Sequence, residues 1–374
     1  MPAPSILIAA GGTGGHIFPG LAVASAVRRQ DPSADIAFVG TPRGLEGRII
    51  PEAGYPLHLL DMVPFAGARR ALVPAAFARA TLQARRLLRR ERTAVAVGMG
   101  GYASIPLMAG ARLSGVPSLV HESGAIPGRA NMLAARFTNN VALAFERAAS
   151  SFSGPTRVVG MPLSEDIEHF DRAALRADAR RAFDLPADAE VLLVIGGSQG
   201  ATTLNKAAVG LARLWRERPN RFILLKTGAA DLAGIQADLQ AAKASHAVRA
   251  LSFFERMDHA YAAADVALTR AGAGTVAELG AVGLPAVLVP YPYAPHDHQA
   301  VNASVLVDVG AALMVRNPEA TAENLAPTLD SLFADAGHRT AMGEAGHSVS
   351  RPRAADDLAS WVLELANSRT PVGR

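Results

Sequence analysis

Ser5 to Gln30 reads SILIAAGGTGGHIFPGLAVASAVRRQ, and the architecture of the chain follows from it. Its first residues form a short apolar run with no polar alternation, the pattern of a strand covered on both faces. The run enters Gly11-Gly12-Thr13-Gly14-Gly15-His16 directly, and apolar residues then recur at helical spacing. Strand, glycine turn and helix in that order open a doubly wound α/β domain. Similar buried runs follow at DIAFVG before Thr41, AVAVGMGG ending at Gly101, PSLVHES ending at Ser123, NNVALAF and TRVVG.

Near Gly160 the pattern breaks at GMPLSEDIEHF, and a charged helical stretch runs from Arg172 to Phe183. It then restarts as AEVLLVIGGSQGATTLNKAAVGLARL. At a separation of 185 residues, Gly11, Gly12, Thr13 and Gly15 fall on Gly196, Gly197, Ser198 and Gly200. RFILLKTG, VRALSFF, ADVALTRAG and AVLVPYP supply further strands, and Asn302 to the end reads as mostly helical. The expectation is two Rossmann-like parallel-sheet domains, residues 1–162 and 163–350, with a helix at about 352–368 returning to the first. Their carboxyl sheet ends are expected to face one cleft.

The chain has 374 residues and no cysteine, which excludes a disulfide framework, a thiolate metal site and a cysteine nucleophile. No apolar run reaches the roughly 18 residues of a membrane span, and Met1 to Ser5 lacks the basic start of a signal peptide. A soluble or peripheral cytoplasmic protein is expected. Charge is uneven: residues 1–160 hold 17 Arg and no Lys against 8 acids, whereas the remainder is net acidic.

Three glycine loops carry the chemistry. Gly11 to His16 permits close backbone approach, and the helix behind it favours an anion; a plain strand-to-helix turn is the competing account. It is a poor dinucleotide fingerprint, because Ile17 stands where the third glycine belongs. Gly196 to Gly200 repeats the geometry with Ser198 and Gln199 available to phosphate. The third loop is Arg270 to Glu278, where the amides of Gly274 to Val276 suit a diphosphate and Glu278 a ribose diol. Thr275-x-x-Glu278 also reads as a capping box.

His16, at the first turn of a helix, is expected to stay neutral and to serve as a general base or a sugar contact, unless it is only structural. His121-Glu122 offers a second ionisable pair, and Tyr102 an aromatic polar tip. The loop from Pro290 to Gln299 presents a mixed fringe for sugar hydroxyls. No metal-ligand spacing occurs, so neither metal nor cofactor is expected. In Phe65 to Arg92, eight Arg lie among Leu, Val and Phe. On a helix from about Pro74, Phe77, Leu82 and Leu88 alternate with arginine faces, fitting anionic lipid or simply a solvated basic face. Aromatic stacking residues for nucleic acid are missing.

The motifs GGTGGHIFPGLAVA, VGTPRGLEGRIIPEAGY, GMGGYAS, VHES, IGGSQGATTLN, FFERMDHAYAAADVALTRAGAGTVAELGAVGLPAVLVPYPYA and DHQAVNA run nearly end to end. Together they resemble the undecaprenyldiphospho-muramoylpentapeptide β-N-acetylglucosaminyltransferases. That resemblance implies a GT-B fold and inverting transfer of N-acetylglucosamine from UDP-GlcNAc to the C4 hydroxyl of lipid I, giving lipid II. It places the donor against Thr13, Gly14, Gly15, Ser198, Gln199, the backbone of Phe254, Ala273, Gly274, Thr275, Val276, Glu278, His298 and Gln299, and at positions 124 and 164. It implies acceptor contacts at Gly14, Gly15, His16, Tyr102 and Asn131, with His16 as base and Glu122 as its competitor. Val73, Phe77, Leu82, Arg85, Arg86 and Arg89 would face anionic lipid on the cytoplasmic side of the inner membrane, beside other cell-wall synthesis or division proteins.

Two departures stand out. Gly124 replaces the Asn of the family's HEQN, and Ser164 the Arg of its GNPVR. Two other functions remain open here, a UDP-GlcNAc 2-epimerase and a non-catalytic sugar-nucleotide-binding homologue.

Overall fold

The computed structural model describes residues 3–42, 44–62, 73–197 and 200–368, and of Val73 the backbone only. Two compact units are present, Met1–Glu165 with Arg351–Arg374, and Asp166–Ser350.

The first unit contains β1 (Ser5–Ala10), α1 (Gly14–Gln30), β2 (Asp35–Gly40), α2 (Glu46–Glu52), β3 (Leu57–Leu59), α3 (Val73–Arg90), β4 (Val95–Gly100), α4 (Ser104–Ser114), β5 (Ser118–Glu122), α5 (Arg129–Ala134), β6 (Val141–Leu143) and β7 (Thr156–Val158). Its seven strands are parallel in the order β3-β2-β1-β4-β5-β6-β7. The unalternated β1 is explained by its two faces. Ile6 and Ile8 pack with Val23 and Val27 of α1, while Leu7 and Ala9 pack with Leu88 of α3 and Leu107 of α4.

After the single turn α6 (Glu165–Glu168), the second unit contains α7 (Arg172–Ala182), β8 (Glu190–Ile195), α8 (Thr202–Leu214), β9 (Arg221–Lys226), α9 (Leu232–Ala241), β10 (Val248–Leu251), α10 (Met257–Ala263), β11 (Val266–Thr269), α11 (Ala273–Val282), β12 (Ala286–Leu288), α12 (His298–Val307), β13 (Ala312–Met314), α13 (Ala322–Ala334) and α14 (Ala336–Val349). Its parallel sheet runs β10-β9-β8-β11-β12-β13. The basic helix α7 is tied to this sheet by one carboxylate: Asp265 meets Arg172, Arg176 and Arg180 at 3.1, 2.6 and 3.1 Å and accepts the Val191 amide at 2.9 Å. The chain ends in α15 (Ala354–Asn367), whose Leu358 and Val362 lie in the core shared by β1 and α1.

Two strands correct the sequence reading. β13 falls in a segment read as helical, and β3 was not anticipated; each has only three residues, too few for a period to register. The order reverses between β1 and β4 in one sheet and between β8 and β11 in the other. At such switch points the loops on either side diverge and leave a crevice at the strands' carboxyl ends.

Candidate functional site

At the first switch point, β1 leads into Gly11 and Gly12, and Gly12 takes φ +87°, a left-handed conformation that disfavours a side chain. Thr13 is the N-cap of α1, but its hydroxyl makes no capping bond. Its carbonyl accepts the amides of His16 and Ile17 at 3.1 and 3.2 Å, so the amides of Gly14 and Gly15 begin the helix with no intrahelical acceptor.

His16 is half-buried, and its Nδ1 lies 3.0 Å from the Gly11 carbonyl. A carbonyl only accepts, so Nδ1 carries the proton and Nε2 keeps its lone pair. Burial holds the imidazole below its ordinary pKa, against smaller upward effects of the Gly11 carbonyl and the Glu46 charge. The ring lies against β4, where a Cβ on Gly100 would run into it. Tyr102 is exposed beyond Gly101. The arrangement is a neutral base beside two free amides.

The pair at the end of β5 plays a different part. His121 is wholly buried, donates from Nε2 to the Gly160 carbonyl at 2.9 Å, and has its pKa lowered by burial to about 4. Glu122 is the competing base expected from sequence, yet its carboxylate is occupied. Oε1 accepts the Gly124 amide at 2.7 Å, and Oε2 the Gly128 amide at 3.1 Å and the Asn131 side chain at 3.0 Å. Burial raises its pKa while those donors oppose the rise. This geometry braces the loop that follows β5. Asn131 is 3% exposed, and its side-chain nitrogen donates to Glu122 and to the His121 carbonyl, while its Oδ1 has no partner among the described residues. At position 124 a Cβ would sit 2.7 Å from the Ile126 carbonyl, so this loop is shaped around glycine. Ser164 is exposed just before α6.

In the second unit, Ser198 and Gln199 lie outside the described residues. The α11 loop is described in full. Gly272 is its N-cap, and no side chain caps it. The capping-box reading of Thr275 and Glu278 therefore fails. Val276 donates to the Gly272 carbonyl at 2.9 Å, which removes its amide from the expected diphosphate contacts. Ala273, Gly274 and Thr275 keep theirs, at the positive end of a ten-residue helix.

Glu278 accepts the buried Tyr261 hydroxyl at 2.6 Å through Oε2. Burial raises its pKa, offset by Tyr261 and by the charge of Lys226. Lys226 closes β9 with its ammonium 5.1 Å from the centre of the Phe253 ring, and burial lowers its pKa. Phe253 is 61% exposed whereas Phe254 is 2% exposed and packs edge-on against Phe183. Sequence reasoning missed Lys226, Phe253 and Tyr261; only the aromatic doublet itself marked the place.

Gln299, expected at sugar hydroxyls, is half committed. Its Oε1 accepts the Ala271 and Tyr291 amides at 3.2 and 2.9 Å, leaving the side-chain nitrogen. His298 donates from Nδ1 to the Pro295 carbonyl at 3.0 Å, and Nε2 stays open. His296 and Asp297 before it are both left-handed, at φ 56° and 51°; such strain in non-glycine residues is concentrated at working loops. Among the described residues no three His, Cys, Asp or Glu side chains group as a metal site would need.

On α3 the expected stripe divides. Phe77 stacks on Phe137 at 6.3 Å between ring centres, and Leu88 is buried, so these two face the core and not a bilayer. Arg85 is half-buried, and Leu82, Arg86 and Arg89 are exposed. The side chain of Val73 and residues 65–72 lie outside the described part. No described helix is long and apolar enough to cross a membrane.

Comparison with known proteins matches residues 6–143 to the Glycosyltransferase family 28 N-terminal domain and residues 191–358 to the Glycosyltransferase family 28 C-terminal domain. The chain belongs to glycosyltransferase family 28. It is 38% identical to a family member from Desulforudis audaxviator over 98% of this chain and 99% of that one. Identity to one from Shewanella amazonensis is 40%, over 96% and 98%. Both are named UDP-N-acetylglucosamine–N-acetylmuramyl-(pentapeptide) pyrophosphoryl-undecaprenol N-acetylglucosamine transferase. The crystal structure of Acinetobacter baumannii MurG aligns with TM-score 0.79 and 30% identity, covering 97% of this chain and 100% of that one. The fold is therefore GT-B. A UDP-GlcNAc 2-epimerase from Neisseria meningitidis shares that fold at TM-score 0.68, over 96% of this chain and all of its own, but with only 11% identity.

Proposed function

We propose that this family 28 glycosyltransferase moves N-acetylglucosamine from UDP-GlcNAc to the C4 hydroxyl of lipid I, yielding lipid II with inversion. The observation that carries the reading is the relatives' shared transferase name at 38–41% identity along nearly the whole chain, a likeness that the epimerase at 11% lacks.

The donor is assigned to the second unit on electrostatic grounds. There the bare amides of Ala273, Gly274 and Thr275 meet the diphosphate, Lys226 adds a cation, and Glu278 takes the ribose. The equivalent turn of the first unit already holds a buried anion, Glu46, against the Gly12 amide, which disfavours a second negative group at that amide. Fixed amides aimed at the departing UDP supply charge stabilisation of about 3 kcal/mol for each well-placed donor. In the first unit, Nε2 of His16 takes the proton of the acceptor hydroxyl. Metal independence belongs to the same proposal, as does peripheral attachment to the cytoplasmic face of the inner membrane through Leu82, Arg86 and Arg89, close to the other cell-wall enzymes.

UDP release from UDP-GlcNAc, measured with and without lipid I and with and without EDTA, tests this reading. Release that depends on lipid I and persists in EDTA is expected. Epimerised sugar formed without acceptor, or nucleotide binding with no UDP release beside lipid I, would overturn it.

A further inference from the structure

Glu46, the first residue of α2, is wholly buried, a place a carboxylate occupies only when its oxygens are satisfied. Oε1 accepts the Thr41 amide at 2.9 Å and the Thr41 hydroxyl at 3.0 Å, and Oε2 accepts the Gly12 amide at 2.9 Å. Room for it exists because side chains are missing. A Cβ on Gly11 would lie 2.8 Å from Oε1 and one on Gly40 2.6 Å from Cγ.

The Gly12 amide shares its peptide unit with the Gly11 carbonyl, the group that receives His16 Nδ1 at 3.0 Å. In a trans peptide these two groups point to opposite sides. Carboxylate, peptide and imidazole thus form one line of hydrogen bonds. A carboxylate pulling on the N–H makes the carbonyl of that peptide a better acceptor, since linked hydrogen bonds polarise one another.

We infer that Glu46 is a positioning residue for the transfer: acting through the Gly11–Gly12 peptide, it fixes the His16 ring with Nδ1 as donor and leaves Nε2 to take the acceptor's proton. The inference rests on the reading of His16 as base. A glutamine at this position cannot replace it, because its NH2 group would face one of the backbone N–H donors. The negative charge also favours protonation of His16, which gives the role a signature that loop support alone would not have.

The test is a double-mutant cycle on lipid I-dependent UDP release, using wild type, Glu46→Gln, His16→Ala and the double variant. Glu46→Gln is expected to lower kcat by about tenfold or more, leave KM for UDP-GlcNAc within about threefold, and move the acidic limb of kcat/KM to lower pH. In the His16→Ala background the same change is expected to cost less than about twofold. Activity within about threefold of wild type, an unmoved limb, or losses that multiply in the double variant would overturn the inference. Should melting curves show that Glu46→Gln does not fold, Glu46→Asp carries the same cycle, its loss vanishing beside His16→Ala if the inference holds and multiplying if it does not. Wild type that releases no UDP beside lipid I would instead bring down the transferase reading, and the inference with it.

Discussion

The Tyr261 hydroxyl reaches from α10 to α11 and donates to Oε2 of Glu278 at 2.6 Å. That bond orients the carboxylate and leaves Oε1 for a ligand. Tyr261→Phe should strand a buried oxygen, a change of about 1.5 kcal/mol or roughly tenfold in Kd for UDP. Because burial raises the Glu278 pKa, the carboxylate is protonated as pH falls through that raised value, and UDP binding should weaken there. Glu278→Gln should flatten this dependence. Calorimetric titrations of UDP across pH 4.5–8 check both, and a Tyr261→Phe affinity within twofold of wild type would remove the orienting role.

His16→Ala should reduce kcat by about 10²-fold or more if Nε2 is the base, with UDP affinity within about twofold. Burial lowers the pKa of this imidazole, so the acidic limb of kcat/KM should lie below the ordinary histidine value near 6.5. Steady-state rates at saturating lipid I give the first quantity, and a loss under threefold would remove His16 from the role.

Much of this was legible in the chain, for a local reason. In SILIAAGG and VLLVIGG an apolar run meets glycine and then a helix, so sequence neighbours alone set the unit. Glu46 was not legible, since its contact with Gly12 spans 34 residues and no nearby residue marks it. Thr275 and Glu278 show the opposite case: the local capping box, one of their two readings, falls because the N-cap of α11 is Gly272 and Glu278 meets Tyr261, seventeen residues earlier.

His121 ties the first unit's stability to pH. The unfolded chain binds its proton near 6.5, the folded chain only near about 4. Stability from this group is therefore present above the unfolded value and lost as pH falls toward the folded one, about 3 kcal/mol in all. Trp361 lies in the first unit and Trp215 in the second, so a Trp215→Phe protein reports the first by fluorescence. Its urea midpoint should drop between pH 7 and 4, and His121→Gln should remove most of the drop. An equal drop in both proteins would assign the effect to other groups.

Leu82, Arg86 and Arg89 are exposed on α3, and the two arginines have no ion-pair partner among the described residues. Arg79, by contrast, meets Asp61 at 3.3 Å and Arg90 meets Glu91 at 2.8 Å. An unpaired guanidinium near an anionic surface gains about 1 kcal/mol, and that gain is screened by salt. Replacing Arg86 and Arg89 with glutamate should weaken sedimentation with phosphatidylglycerol vesicles by tenfold or more, and high salt should do the same to wild type. UDP affinity, which the proposal assigns to the second unit, should not change. Binding to vesicles that survives both the double substitution and 1 M salt would mean that this helix is not the contact.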